Sequence, residues 1–434
     1  MSSPYGSGHS WVRPSVTDLI LEAQTPLDIR SAALRLRERG SSSRVAPTQV
    51  IDVFERWGAA LRGPALDAIP GVAFLRLWLR RGSLEPLLQR EFGPTVLDSE
   101  WRQEGPARLG AFPVGLVGHW PAGNIAIQPV LTMSCALLGG NFCIVRVPTG
   151  LVAETQAIVE KLREVDTAGV LRDSIVLTTF DHERTDLQQA MAETVDGAMI
   201  WGGAEAVSQI RSLQFPHWAR IAVFGPRLSV AAMDAQSWAD EGEQAQWSRR
   251  IARDVWQFDQ QACSSPQTLF LERHLNCDIE PFVRALKRAF EEENLAHPRF
   301  EIHPGLSSAI CLKRASWMLE SDDHRAVFPA TPDWTILLGT GSAIPTPTQG
   351  KTLSVLLVDD LLEPISKFSG DIQTLGLAVS NPSREAALAH AAASRGVDRI
   401  VKLGRMHVFG SPWDGMDLVR SMTRLVRHMP SQDA

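Results

Sequence analysis

A chain of 434 residues, 44% hydrophobic and 21% charged, has room for two or three domains with their own cores and the composition of a globular protein. Its formal net charge of −6 offers nothing to draw nucleic acid or an anionic membrane. Five cysteines, at 135, 143, 263, 277 and 311, form no C-x-x-C pair and leave an odd count, which argues against a disulfide framework or a zinc knuckle.

The same cysteine usage fits a reducing compartment, so the cytoplasm is the expected location and no metal site is expected. Residues 1–10 lack the basic and apolar regions of a signal peptide and, with the next two, read as disordered or loosely draped. The most apolar span, 125–147, is broken by Pro129, Gly139-Gly140 and Asn141. It reads as helix, turn and strand rather than a membrane crossing.

Taken in order, helical patterns occupy about 16–39, the stretch after Pro47, and 71–90, an all-helical approach to the main sheet. From about 112 the pattern alternates. Strands are expected at 114–118, 142–147, 174–180, 197–201 and 220–224, with helices at 125–138, 151–165, 184–194 and 205–213 between them. Continuous apolar strands separated by amphipathic helices imply a parallel sheet covered on both faces, with ligands beyond the carboxyl ends of the strands. A second α/β unit comes next, with a strand at 228–233, a long helix ending at Phe258 and a half-buried strand at 267–271. Beyond it come a helix at 279–294, an irregular connection at 329–350, a strand at 353–358, a helix at 384–395 and a strand at 400–403. The segment 413–428 ends as a helix with Leu418, Met422, Leu425 and Val426 on one face.

Four places have the residue types that carry chemistry. Cys263 lies in a polar loop, where Pro266 stops any helix arriving from the 236–257 side, so the thiol sits on a hinge between helix and strand. A free cysteine is also a common small core residue, and both readings stand on the loop alone. Asn124, in the turn Gly118-His-Trp-Pro-Ala-Gly-Asn124, can donate its amide to an oxyanion or cap a helix. Arg146, followed by Pro148 and Thr149, ends a strand where a cation meets a ribose or a 2′-phosphate, or is simply a solvated charge. Gly202 and Gly203 join a strand to a helix, as a pyrophosphate site or as a plain turn. No G-x-G-x-x-G and no P-loop is present, and Gly339-Thr-Gly341 reads as a turn.

Together these segments resemble the acyl-CoA/acyl-protein thioester reductase (LuxC-type) family of the aldehyde dehydrogenase superfamily. The resemblance is carried by 118–124, Gly140-Asn-Phe-Cys-Ile-Val-Arg-Val-Pro148, Trp201-Gly-Gly-Ala-Glu205, Phe258-Asp-Gln-Gln-Ala-Cys-Ser-Ser-Pro266 and Gly396-Val-Asp-Arg-Ile-Val-Lys-Leu-Gly404, leading to Pro412-Trp-Asp-Gly415. It implies an aldehyde dehydrogenase-like α/β fold. A helical segment at 1–110 would pack on a doubly wound nicotinamide-dinucleotide domain at 111–225. The catalytic domain would span 226–404, and 405–434 would return to the cofactor domain or an oligomer interface. By resemblance Cys263 is the nucleophile and Asn124 an oxyanion donor with the Cys263 N–H. Arg146, Pro148, Thr149, Gly202 and Gly203 would bind the cofactor, NADPH with NADH possible. Arg146 stands where the superfamily usually has a lysine. His119 is an available acid or base, or a structural histidine. Aldehyde-oxidising members carry a glutamate in an E-L-G-G segment, whereas the corresponding stretch here is Ala222-Val-Phe-Gly-Pro226, without a carboxylate. The implied reaction is therefore reduction of an acyl thioester to the aldehyde, on acyl-CoA, an acyl-carrier protein or an acyl-transferring partner enzyme. The alternatives are a CoA-acylating or simple aldehyde dehydrogenase running in the oxidative direction, and a non-catalytic scaffold. A homo-oligomer is expected, with neither nucleic acid nor a membrane span.

Overall fold

The computed structural model describes residues 19–40, 45–94, 101–299 and 302–430. The expected looseness of the first dozen residues lies outside them. In chain order the strands are β1 (Ile20–Glu22), β2 (Trp101–Glu104), β3 (Ala107–Pro113), β4 (Leu116–Trp120), β5 (Phe142–Arg146) and β6 (Ile175–Thr179). They continue with β7 (Gly197–Trp201), β8 (Arg220–Phe224), β9 (Leu228–Met233), β10 (Pro266–Glu272), β11 (Arg325–Val327) and β12 (Thr335–Thr340). The last are β13 (Thr352–Val358), β14 (Ile372–Ala378), β15 (Arg399–Lys402) and β16 (Thr423–His428).

Two parallel sheets dominate. The first runs β1-β6-β5-β4-β7-β8. The chain moves outward from β4 through β5 to β6, then returns to lay β7 and β8 on the other side of β4. That reversal opens a crevice at the carboxyl ends of β4 and β7. Helices Pro47–Ala60, Gln128–Leu138 and Val152–Val165 bury one apolar face of this sheet, and Pro26–Gly40, Thr185–Thr194 and Ala204–Arg211 bury the other. The second sheet runs β11-β12-β13-β10-β9-β14-β15, with only β11 antiparallel. Its two faces are likewise covered by separate apolar clusters. The doubly wound architecture read from the sequence is thus present twice. Among the described residues no helix is long and apolar enough to cross a membrane.

Several expectations are corrected. The stretch before residue 111 is not all helical. Strand β1 edges the first sheet, and β2 and β3 form an antiparallel ribbon. The 71–90 pattern is two helices, Val72–Trp78 and Arg81–Phe92, because Arg80 is extended at ψ 142°. Strand β10 is buried at every position, not half-buried, since it lies inside the second sheet between β9 and β13. The connection at 329–350 contains β12. The stretches 304–320 and 372–378, where no element is expected, are a helix (Pro304–Glu320) and β14. The C-terminal helix is absent. Residues 420–422 make one 3-10 turn, and β16 then pairs antiparallel with β3.

That C-terminal return is clamped at long range. The buried Glu91 carboxylate accepts from the amides of Leu418 (3.1 Å), Val419 (3.0 Å) and Arg420 (2.7 Å). Asn141 donates to the Met422 carbonyl at 3.0 Å. Burial pushes Glu91 above the usual carboxylate range, and the amides it accepts from oppose that.

Candidate active site

The crevice of the first sheet opens into a cavity of about 870 Å³, shared with the amino-end loops of the second sheet. All seven residues singled out from the sequence line it: Asn124, Arg146, Pro148, Thr149, Gly202, Gly203 and Cys263. They come from four segments spread over 140 positions.

On the first-sheet side the lining runs along the strand ends. After β4 the turn is pinned by the Ala122 amide donating to the Gln128 side chain at 3.0 Å. Asn124 is exposed to the cavity, and one of its amide hydrogens goes to the Gln261 carbonyl at 2.9 Å, two residues before Cys263. The other amide hydrogen remains for a ligand. After β7 the Ala204–Arg211 helix begins at Gly203 with no side-chain cap. Its first amides therefore face outward unpaired, with a partial positive charge. A Cβ on Gly203 would meet nothing within 4 Å. Trp201 stacks on Phe224 at 3.7 Å and 9° as a flat apolar floor, its indole N–H held by Thr132 at 3.0 Å. Arg146 is half-buried over the Phe180 ring and donates weakly to the Phe180 carbonyl at 3.4 Å; its buried Nε has no partner. Burial pulls its guanidinium down and Asp181 opposes this. His119 is elsewhere: it is fully buried inside β4, bonded to Thr132 at 3.0 Å, and desolvation holds it neutral to about 3. It does not reach the cavity lining.

On the second-sheet side the helix Glu241–Trp256 ends in a tight turn in which Phe258, Asp259 and Gln260 all have positive φ (54°, 55° and 60°). Such backbone costs roughly 1–3 kcal/mol per residue and persists only when over-determined. Here Gln260 is locked by three bonds, to the Pro266 carbonyl (2.9 Å) and to the Thr352 carbonyl (2.9 Å) and amide (2.7 Å). Arg299 holds Asp259. The turn therefore delivers Cys263 three residues before β10, with its carbonyl accepting from the Ser229 hydroxyl at 2.6 Å.

The Cys263 sulfur is half-buried and accepts an N–H from Gln373 at 3.0 Å. The same Gln373 nitrogen donates to Asp414 at 2.6 Å. Burial pushes the thiol up to about 11 and the Asp414 carboxylate pushes the same way, while Gln373 and Arg399 pull it down. Next to it, Ser264 bonds to His407 Nδ1 at 3.0 Å, and His407 Nε2 faces the Asp254 carbonyl at 2.7 Å. A carbonyl only accepts, so Nε2 carries the proton and Nδ1 accepts from the serine. Desolvation keeps this imidazole neutral down to about 4.

Gln373, Asp414, Ser229 and His407 were not singled out in the sequence. Asp414 belongs to the Pro412-Trp-Asp-Gly415 segment, but nothing there tied it to the cysteine; Gln373 had no signal at all. Among the described residues no three His, Cys, Asp or Glu side chains gather as for a metal ion.

The sequence profile of the acyl-CoA reductase (LuxC) family matches residues 62–428. The long-chain acyl-protein thioester reductase of Vibrio harveyi is 24% identical over 364 residues, covering 80% of this chain and 71% of the relative. That of Photorhabdus luminescens is 25% identical over 359 residues, covering 80% and 70%. Solved structures with the same fold include betaine aldehyde dehydrogenase from Staphylococcus aureus in complex with NAD+ (TM-score 0.70, 13% identity, 96% and 92% covered). Another is the P. syringae indole-3-acetaldehyde dehydrogenase with NAD+ and its ligand (TM-score 0.67, 16% identity, 94% and 89% covered). The match to the profile spans the cavity on both sides, and the chain belongs to the acyl-CoA reductase (LuxC) family.

Proposed function

We propose that the chain is an NAD(P)H-dependent reductase that converts an acyl thioester to the aldehyde through an acyl group carried on Cys263. The observation that carries this reading is the shared cavity, in which a half-buried thiol and the uncapped start of the 204–211 helix line one space.

The residues present fit a dinucleotide. The open approach at Gly203 and the unpaired first-turn amides suit a pyrophosphate. Pro148, Thr149 and Gly202 would border the adenosine half, and the Arg146 cation on the lining favours a 2′-phosphate, hence NADPH, with NADH also admitted. A reduced nicotinamide bound there would supply the two electrons that take the acyl-cysteine to the aldehyde.

The chain's own groups do the rest. Cys263 sulfur attacks the thioester carbonyl and the donor thiol leaves. The free hydrogen of the Asn124 amide and the Cys263 N–H would hold the oxyanion. The carboxylates on the lining are Asp371 and Asp414, and the 222–226 segment contributes none, so it offers no base to activate water against the acyl-enzyme. The relatives' names make an acyl-protein the favoured donor, with acyl-CoA or an acyl-carrier protein as other sources of the same thioester.

Enzyme mixed with a long-chain acyl-CoA and no reductant is expected to gain one acyl group on the Cys263 peptide in mass spectrometry. Cys263→Ala should lose the adduct and, on the order of 10³-fold or more, the NADPH-dependent activity. An unmodified Cys263, or full activity in the alanine variant, refutes the reading.

A further inference from the structure

Gln373 is wholly buried in β14, yet it sits where that strand is irregular. Register between β14 and β9 shifts between Ile372 and Thr374, which leaves Gln373 as the extra residue of a bulge. Bulges re-aim side chains, and this one turns a buried amide onto the Cys263 sulfur. The amide's orientation is determined by its neighbours. An ionised Asp414 carboxylate only accepts, so the Gln373 atom facing it at 2.6 Å is the nitrogen; on the other side Thr374 Oγ1, which accepts from Arg399 at 2.9 Å, donates to Gln373 Oε1 at 3.2 Å. Gln373 Oε1 is therefore the acceptor, and both its N–H groups point at the sulfur and at Asp414.

We propose that Gln373 is a catalytic residue: its amide N–H holds the Cys263 sulfur as an anion when it attacks the acyl donor and again when it leaves the product, with Asp414 as the positioning residue that fixes that amide. This rests on Cys263 being the nucleophile. In the first step the bond from Cys263 Sγ to the acyl carbon forms and the bond from that carbon to the donor sulfur breaks. The thiol proton ends on the departing donor thiolate. In the last step the carbon–sulfur bond of the reduced intermediate breaks, the aldehyde C=O forms, and the hydroxyl proton returns to Cys263. Negative charge passes through the same sulfur both times, whereas the Asn124 amide serves the oxygen.

Asp414 has a second effect. It is held in the left-handed region (φ 49°) inside the Trp413–Met416 turn, and its negative charge opposes ionisation of the thiol. The other charges near the pair are Arg399, which favours the thiolate, and Arg227 and Asp398, which act on Asp414; His407 beyond Ser264 is neutral. The network keeps the sulfur protonated at rest while holding a donor ready for the anion.

The test is the pH profile of Cys263 alkylation by iodoacetamide, read on the Cys263 peptide because Cys311 is exposed and Cys277 half-buried. Gln373→Leu should move the midpoint up and slow alkylation at pH 8 about tenfold, one pKa unit being tenfold in thiolate. Asp414→Asn, which still accepts from Gln373, should move it down and speed alkylation about tenfold. Thr374→Val should shift it upward by less. A merely structural Gln373 would lower the melting temperature and leave the profile in place, which overturns the inference. So does an Asp414→Asn midpoint at or above that of the parent, and this arm stands if Gln373→Leu does not fold. The profile needs neither acyl donor nor nucleotide. Coincident profiles with an intact acyl adduct on Cys263 sink this inference alone; a missing adduct in the parent sinks the proposed function.

Discussion

The two walls of the cavity are built from opposite ends of similar sheets, and they work in opposite ways. The first sheet contributes the turns after its strands, where glycines and uncapped amides leave backbone and space. The second contributes residues at the starts of its strands, Ser229, Gln373 and the loop before β10, with the side chains around the thiol tied to partners. One wall presents open space and the other a thiol held by side chains. Substitutions should therefore act by bulk on the first wall and by functional group on the second.

Asn124 is the side chain that crosses between them, and removing it should have the largest effect on this contrast. Asn124→Ala is expected to lower kcat about 10²- to 10³-fold, as for loss of one oxyanion donor, with little change in the alkylation profile of Cys263. An unchanged kcat in steady-state assays would remove Asn124 from the chemistry. Gly203→Val comes next. Because a Cβ there is unobstructed and φ is −68°, the variant should fold normally while crowding the mouth of the first wall, where the proposed dinucleotide would lie. The KM for NADPH should rise about tenfold, near 1.4 kcal/mol, with acylation of Cys263 unaffected; equal loss in both steps would erase the division between walls.

The smallest effect lies behind the second wall. Asp254 accepts from the Gly404 amide at 2.6 Å, and burial lifts its carboxyl to about 7. Between about 4 and 7 the folded protein thus holds a proton that the unfolded chain has released, so this group costs stability as pH rises through that window. Asp254→Asn keeps an acceptor and does not titrate. Its melting temperature relative to the parent should climb by about 1–2 °C from pH 4.5 to 7. The depressed His407 slopes the other way but is common to both proteins. A flat difference would show that Asp254 is ionised as usual.

The first wall was largely legible in the sequence, because its strands are continuous apolar runs punctuated by glycine: 197–201 and 220–224 match β7 and β8 residue for residue. The second was not. Strand β14 reads Ile-Gln-Thr-Leu-Gly-Leu-Ala, and its polar residues are the ones the thiol network needs. Gly376, which looks like a breaker, is required because a Cβ would come within 2.7 Å of the Met406 sulfur. Strand β12 was hidden by the Pro/Gly/Thr-rich segment around it. At the C-terminus, Leu418, Met422, Leu425 and Val426 have helical spacing. Pairing of β16 with β3 overrides it and leaves Leu425 49% exposed. The cysteine itself was conspicuous, but its partner Gln373 lies 110 positions away, beyond any local pattern.

The Glu91 clamp gives the site an order of assembly. Its amide partners lie 327 to 329 positions downstream, and they anchor the segment that carries Asp414. Contacts that distant form only after the intervening chain is made and has collapsed, since closing so long a loop costs entropy before any bond repays it. During synthesis the helices and the first sheet can consolidate early. The cysteine, by contrast, emerges 151 residues before Asp414 and waits for it (414 − 263). The thiol is thus expected to come under the influence of Asp414 late in folding.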